Sequence, residues 1–118
     1  MAGLTTHVLD TVHGRPAAGV EIELFEWLPD GSRNRIAHTR TNADGRTAAP
    51  LIASAQARAG RFELLFHIGD YFREKSAALA DPAFLDVVPI RFAMADPAAH
   101  YHVPLVATPW SYSTYRGS

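Results

Sequence analysis

Apolar and polar residues alternate from Arg61 to Ile68, with Phe62, Leu64, Phe66 and Ile68 on one side and Arg61, Glu63, Leu65 and His67 on the other. Successive side chains of a strand leave opposite faces, so this stretch predicts a strand with one core-facing side. Val20, Ile22 and Leu24 alternate with Glu21 and Glu23 in the same way. Phe25 and Trp27 then put large aromatics on the polar face, more often tolerated surface than function, although on a chain this small the pair raises the odds of a subunit interface. Thr5 to Thr11, Asn34 to Thr41, Val87 to Ala93, Tyr101 to Ala107 and Ser111 to Tyr115 read as further strands. Turn residues separate them, as in His13-Gly14-Arg15-Pro16, Pro29-Asp30-Gly31-Ser32 and Asn42-Ala43-Asp44-Gly45. One segment departs from the rhythm. After Gly69, Asp70 suits an N-cap, Phe72 and Leu79 lie about two turns apart, and Glu74, Lys75 and several alanines favour helix up to Pro82. The pattern predicts an all-β sandwich or barrel with a single short helix packed outside the sheets. Pro89 and Pro104 cannot donate to a ladder, so their strands should be edges, bulged or locally unpaired.

At 118 residues the chain has room for one domain, 1–118, and its 47% hydrophobic content supplies a core for it. Eleven Lys and Arg against twelve Asp and Glu leave a formal charge of −1, which gives no field for nucleic acid. The absence of cysteine excludes disulfides, a thiolate nucleophile and Cys-type metal sites. The first residues carry neither a basic nor an apolar signal region, and no apolar run reaches the ~18 residues of a membrane span. A cytoplasmic protein with no membrane partner is the expectation.

Any catalysis must then rest on His, Ser, Thr, Tyr, acidic residues or Arg. His100 and His102 are two apart on a strand, so both rings leave the same face while Tyr101, Val103 and Leu105 point the other way. His100 opens the strand after Asp96-Pro97 and should be solvated, whereas His102 has the more constrained seat. A His-x-His pair with His7 or His38 has metal-ligand spacing, but no Asp or Glu stands beside it, and a metal is not the expected reading. His7 falls on one face with Thr5 and Leu9. Arg46 follows the Asn42 to Gly45 turn, so its planar fork starts from a fixed corner. The chain closes on Trp110 to Ser118, an aromatic and hydroxyl-rich stretch ending in Tyr115-Arg116-Gly117-Ser118, which suits a tail tucked into a site. Taken singly, these residues are a half-exposed imidazole, a surface guanidinium and a frayed end.

Together, Leu4-Thr5-Thr6-His7-Val8-Leu9-Asp10-Thr11 with Gly14-Arg15-Pro16-Ala17, Thr41-Asn42-Ala43-Asp44-Gly45-Arg46, Gly69-Asp70-Tyr71-Phe72, His100-Tyr101-His102-Val103-Pro104-Leu105 and the terminal Tyr115-Arg116-Gly117-Ser118 resemble the transthyretin-like 5-hydroxyisourate hydrolases over nearly the whole chain. The terminal tetrapeptide separates these hydrolases from the hormone-carrying transthyretins of the same fold. Val106-Ala107-Thr108 and Ser111 stand where the family more often has Leu, Leu, Ser and Gly.

The resemblance implies an eight-stranded sandwich of two four-stranded sheets with one short helix, assembled as a homotetramer that is a dimer of dimers. Its sites would lie at the dimer–dimer interface, lined by His7, Arg46, His102 and the terminal tetrapeptide. It also implies hydrolysis of the N1–C6 amide of 5-hydroxyisourate to 2-oxo-4-hydroxy-4-carboxy-5-ureidoimidazoline, without cofactor or metal. In that scheme His102 is the favoured base, with His7 polarising the substrate or handling the leaving nitrogen, and the reverse order stays open. Arg46 would stabilise the oxyanion and Ser118 would orient water or substrate. Tyr115, Arg116 and Gly117 would bind the substrate or hold the tail. The competing readings are a carrier of small aromatic ligands and a metal-dependent hydrolase using His7, His100 and His102.

Overall fold

A computed structural model describes residues 2–76 and 78–117. Two parallel strand pairs join early and late parts of the chain. β1 (Gly3–Thr5) runs beside β8 (His100–His102), and β2 (Val8–Asp10) runs beside β9 (Leu105–Ala107). Leu4 faces Tyr101 and Val8 faces Leu105, so a separation of 97 residues is kept through both pairs. Val103 N–H to the Thr5 carbonyl at 3.0 Å and Leu105 N–H to the His7 carbonyl at 2.9 Å carry the ladder across the gap. The blocks expected over Thr5 to Thr11 and Tyr101 to Ala107 are thus each two segments in one register. Pro104, which has no N–H to offer, sits in the break of the second.

β9 also pairs antiparallel with β10 (Tyr112–Thr114), and β2 with β3 (Arg15–Pro16), giving the sheet order β10-β9-β2-β3. The second sheet runs β5-β4-β6-β7, from β4 (Glu21–Trp27), β5 (Arg33–Arg40), β6 (Gly60–Phe66) and β7 (Val88–Met94). With β1-β2 and β8-β9 taken as one strand each, the architecture is the expected all-β sandwich of two four-stranded sheets. Pro89 lies on β7, an edge strand, as its missing donor requires.

Strand alternation gives the core. Ile22, Leu24, Phe62, Leu64 and Phe66 are fully buried between the sheets, with Leu4, Val8 and Leu105 facing them from the other side. Phe25 and Trp27 do lie on the outer face, but they are half-buried beneath charge: the Arg33 guanidinium is 4.1 Å from the Phe25 ring centre and that of Arg91 is 4.0 Å from the Trp27 ring centre. A bulge between Leu24 and Phe25 shifts the β4–β5 register at this point.

The helix departs from expectation at both ends. α1 spans Ile68–Lys75, with His67 rather than Asp70 at the N-cap, no side-chain cap bond, and Asp70 in the first turn. The chain is already extended at Ser76, six residues short of Pro82, so Leu79 lies beyond the helix and packs on the core from a loop. Tertiary bonding fixes the entry, because the Gly69 N–H donates to the Asp86 carbonyl at 2.9 Å. Ile68, Tyr71 and Phe72 are buried. Tyr71 also donates its hydroxyl to Asp10 Oδ2 at 2.7 Å, tying the helix to β2. No described helix is long and apolar enough to cross a membrane.

Candidate active site

His7 lies in the link between β1 and β2, and its exposure follows the expected alternation: Thr6, Val8 and Asp10 are buried, while Thr5, His7 and Leu9 are partly exposed on the face turned away from the core. Its Nε2 is 2.8 Å from the Asp44 carbonyl oxygen. A carbonyl only accepts, so Nε2 carries the proton, and in the neutral ring Nδ1 is left as the lone-pair nitrogen.

The turn that provides this carbonyl is locked from within. Asn42 Oδ1 accepts from the N–H of Asp44 at 2.9 Å and of Arg46 at 3.2 Å, and the Asn42 N–H donates to the Arg46 carbonyl at 2.7 Å. Gly45 has φ of +72°, a left-handed conformation that disfavours a side chain, and a Cβ there would strike the Val8 carbonyl. With no Cβ, the turn docks on β2 through Val8 N–H to the Gly45 carbonyl at 2.8 Å. The fixed corner expected for Arg46 is therefore real. The Arg46 side chain is exposed, makes no hydrogen bond among the described residues, and borders a shallow hollow with Thr5, Thr6 and Thr47.

His102 closes the group. The register of β1 against β8 sets it opposite Thr5, whose Oγ1 lies 2.9 Å from His102 Nδ1. Burial lowers the pKa of its imidazole below the usual histidine range, and the positive charge of Arg46, with that of His7 and His100 whenever they are protonated, lowers it further. At neutral pH it is an uncharged ring. His100, expected to be solvated, is instead half-buried: Nε2 is 3.1 Å from the same Thr5 Oγ1, and Nδ1 is buried with no partner among the described residues.

The tail reaches the site from the other edge. The Gly117 N–H donates to the His102 carbonyl at 2.7 Å, forming a single bridge between the two residues. Arg116 turns away, its guanidinium 4.1 Å from the Tyr101 ring centre and Nη2 donating to the His100 carbonyl at 3.3 Å. Tyr115 is exposed and borders a groove with Phe92, Tyr101 and Val103 rather than the His7 side. Ser118 lies outside the described residues.

Sequence reasoning named His7, Arg46 and His102, which the fold brings together, but gave no role to Thr5 or to the Asp44 carbonyl. The proximity of His100 and His102 was legible from their spacing, whereas the shared hydroxyl depends on a strand register that spacing does not reveal. The three-histidine metal set does not gather around one point, since His100 and His102 direct nitrogens at Thr5 while His7 binds Asp44. Among the described residues, the group with metal-ligand spacing is Glu21, His67 and Asp70, beside the other sheet. There Glu21 is already engaged by His38 at 2.6 Å, and His67 by Glu23 at 2.8 Å.

Comparison with known proteins places the whole chain. The chain is 58% identical over 116 residues to the 5-hydroxyisourate hydrolase of Deinococcus radiodurans, covering 98% of this chain and 96% of that one. The structure of the Klebsiella pneumoniae 5-hydroxyisourate hydrolase superposes with a TM-score of 0.80 at 33% identity over the full length of both chains. Sea bream transthyretin in complex with thyroxine superposes with a TM-score of 0.86 at 29% identity, covering 98% of this chain and 95% of that one. A family profile matches residues 4–117, and the chain belongs to the HIUase/Transthyretin family.

Proposed function

We propose that the chain hydrolyses 5-hydroxyisourate, opening the N1–C6 amide to give 2-oxo-4-hydroxy-4-carboxy-5-ureidoimidazoline. The observation that carries this reading is the meeting of His7, Arg46 and His102 on one face, around a turn held rigid by Asn42. One imidazole takes a proton from water as the oxygen attacks C6, and the carbonyl electrons move onto the C6 oxygen. The Arg46 guanidinium pairs with that oxyanion. When the C6–N1 bond breaks, the same imidazole returns its proton to N1, so charge and protons balance. General base catalysis of this kind contributes typically ~10² to 10⁴-fold, and an oxyanion donor on the order of 10² to 10³-fold. A carrier of aromatic ligands calls instead for a mostly apolar wall.

The site face is open, and efficient hydrolysis needs walls that position the substrate and limit water. A homotetramer of the dimer-of-dimers type, with the site at the dimer–dimer interface, supplies them. Exposed Trp110, Tyr112 and Tyr115 on and around β10 support an association surface close to the tail. Ser118 then orients water or substrate, and Tyr115, Arg116 and Gly117 hold the tail, Arg116 over the Tyr101 ring and Gly117 on the His102 carbonyl.

An ultraviolet time course on freshly generated 5-hydroxyisourate, with chelator present, tests the reading. Accelerated loss of substrate absorbance that survives chelation is expected, and neither metal nor cofactor enters the scheme. A trace no faster than spontaneous decay, with chelator or with zinc restored, would overturn it.

A further inference from the structure

We propose that Thr5 and His100 are positioning residues that make His102 a hydrogen-bond donor to the oxyanion, leaving His7 as the proton shuttle. This rests on the hydrolase reading for its chemistry, and on the hydrogen-bond geometry alone for the state of the rings.

A hydroxyl has one proton and two lone pairs. Thr5 Oγ1 sits between two imidazole nitrogens, His102 Nδ1 at 2.9 Å and His100 Nε2 at 3.1 Å. It can donate to one and accept from the other, so the tautomers of the two rings are coupled. His100 decides the direction, because its Nδ1 is buried without a partner among the described residues. A buried N–H without an acceptor is tolerated less often than a buried acceptor without a donor, by analogy with backbone groups. The proton of neutral His100 therefore sits on Nε2 and is donated to Thr5 Oγ1. The Thr5 O–H is then directed at His102 Nδ1, which must be bare, and the proton of His102 is left on Nε2.

His7 has the opposite polarity, because the Asp44 carbonyl holds its Nε2–H and leaves Nδ1 bare. The two rings are thus one acceptor and one donor. His7 Nδ1 takes the water proton and later returns it to N1, while His102 Nε2–H and Arg46 together hold the oxyanion. His102 keeps its proton throughout, so no imidazolate is formed. This reverses the order favoured from the sequence, in which His102 was the base.

The test is ¹⁵N-histidine NMR of the intact protein, using two-bond nitrogen–proton correlations, together with steady-state kinetics. The wild type and Thr5→Ser should show His102 protonated on Nε2. Thr5→Val should lose that preference and lower kcat by ~10- to 100-fold, less than the ~10⁴-fold known for a fully mis-set tautomer, with KM little changed and with rescue by Thr5→Ser. His100→Leu should act in the same direction without altering Thr5, while His100→Gln, which keeps a donor, should restore function. A wild-type His102 protonated on Nδ1, or a Thr5→Val protein with unchanged tautomer and kcat, would overturn the proposal. The NMR result does not need substrate, so a wild type that fails to turn over 5-hydroxyisourate sinks the hydrolase reading while the spectra still decide the ring assignment.

Discussion

Gly117 packs directly on the His102 ring: a Cβ built on Gly117 would fall 2.6 Å from His102 Cδ2 and 3.3 Å from its Cγ. The ring is thus pressed from the tail side while Thr5 holds its Nδ1. Gly117→Ala must displace either the tail or the imidazole, and a misplacement of about 1 Å at a reacting group can cost on the order of 10²-fold. The expected result is a large fall in kcat with an unchanged far-ultraviolet circular dichroism spectrum. Full activity would mean that the tail yields freely and does not orient the ring.

His7 separates two duties that one substitution can split. In His7→Gln a side-chain amide can still donate to the Asp44 carbonyl, but no basic nitrogen remains. Turnover should fall by ~10² to 10⁴-fold, while stability in urea stays within about 0.5 kcal/mol, as for most surface changes. Retained turnover would move the proton-transfer role elsewhere.

The lowered pKa of His102 has a definite sign in stability. The unfolded chain takes up the proton near pH 6.5 and the folded chain only at lower pH, so stability should fall as pH drops from 6.5 towards the folded value. Because Arg46 supplies part of the repulsion, Arg46→Gln should raise the His102 pKa in an NMR titration and soften that loss. The same variant should lose activity, since Gln cannot pair a full positive charge with the oxyanion. A His102 titration unmoved by Arg46→Gln would show that Arg46 takes no part in setting it, leaving burial and the two neighbouring histidines.

Asp10 behaves in the opposite sense. Burial works to raise its carboxyl, but bonds from the Tyr71 hydroxyl and from the His13 backbone and ring outweigh burial and hold the pKa below the usual value. Its contribution to stability is present above pH 3.8 and is lost as pH falls through the folded value. Tyr71→Phe should cost ~1–3 kcal/mol by thermal or chemical denaturation and move the acid unfolding midpoint upward. A neutral result would make the helix-to-strand tie dispensable.

What could be read from the sequence follows from how local each feature is. The inward faces of β4 and β6 were plain in the alternation of Ile22, Leu24, Phe62, Leu64 and Phe66, because burial on one side of a strand leaves a period of two. The helix start was misread at Asp70 because a bond from Gly69 to Asp86, distant in sequence, outweighed the local capping signal. Phe25 and Trp27 gave no hint of the guanidinium groups above them, since Arg33 and Arg91 come from two other strands. In the site, His7, Arg46 and His102 came from motif likeness together with strand and turn logic. The part played by Thr5 stayed hidden, because one hydroxyl between two imidazoles is a product of register between strands 97 residues apart.

That same register governs when activity can first exist. A strand ending at Thr5 waits for a partner ending at His102, and at about 5–20 residues per second of synthesis the interval is roughly 5–20 s. By its last third β4, β5 and β6 have all been made, whereas His102 is not yet part of the chain. A growing chain is consequently folded in part well before it is an enzyme, and β1 and β2 must pass that time unpaired with β8 and β9, the stage at which a chaperone would find most to shield.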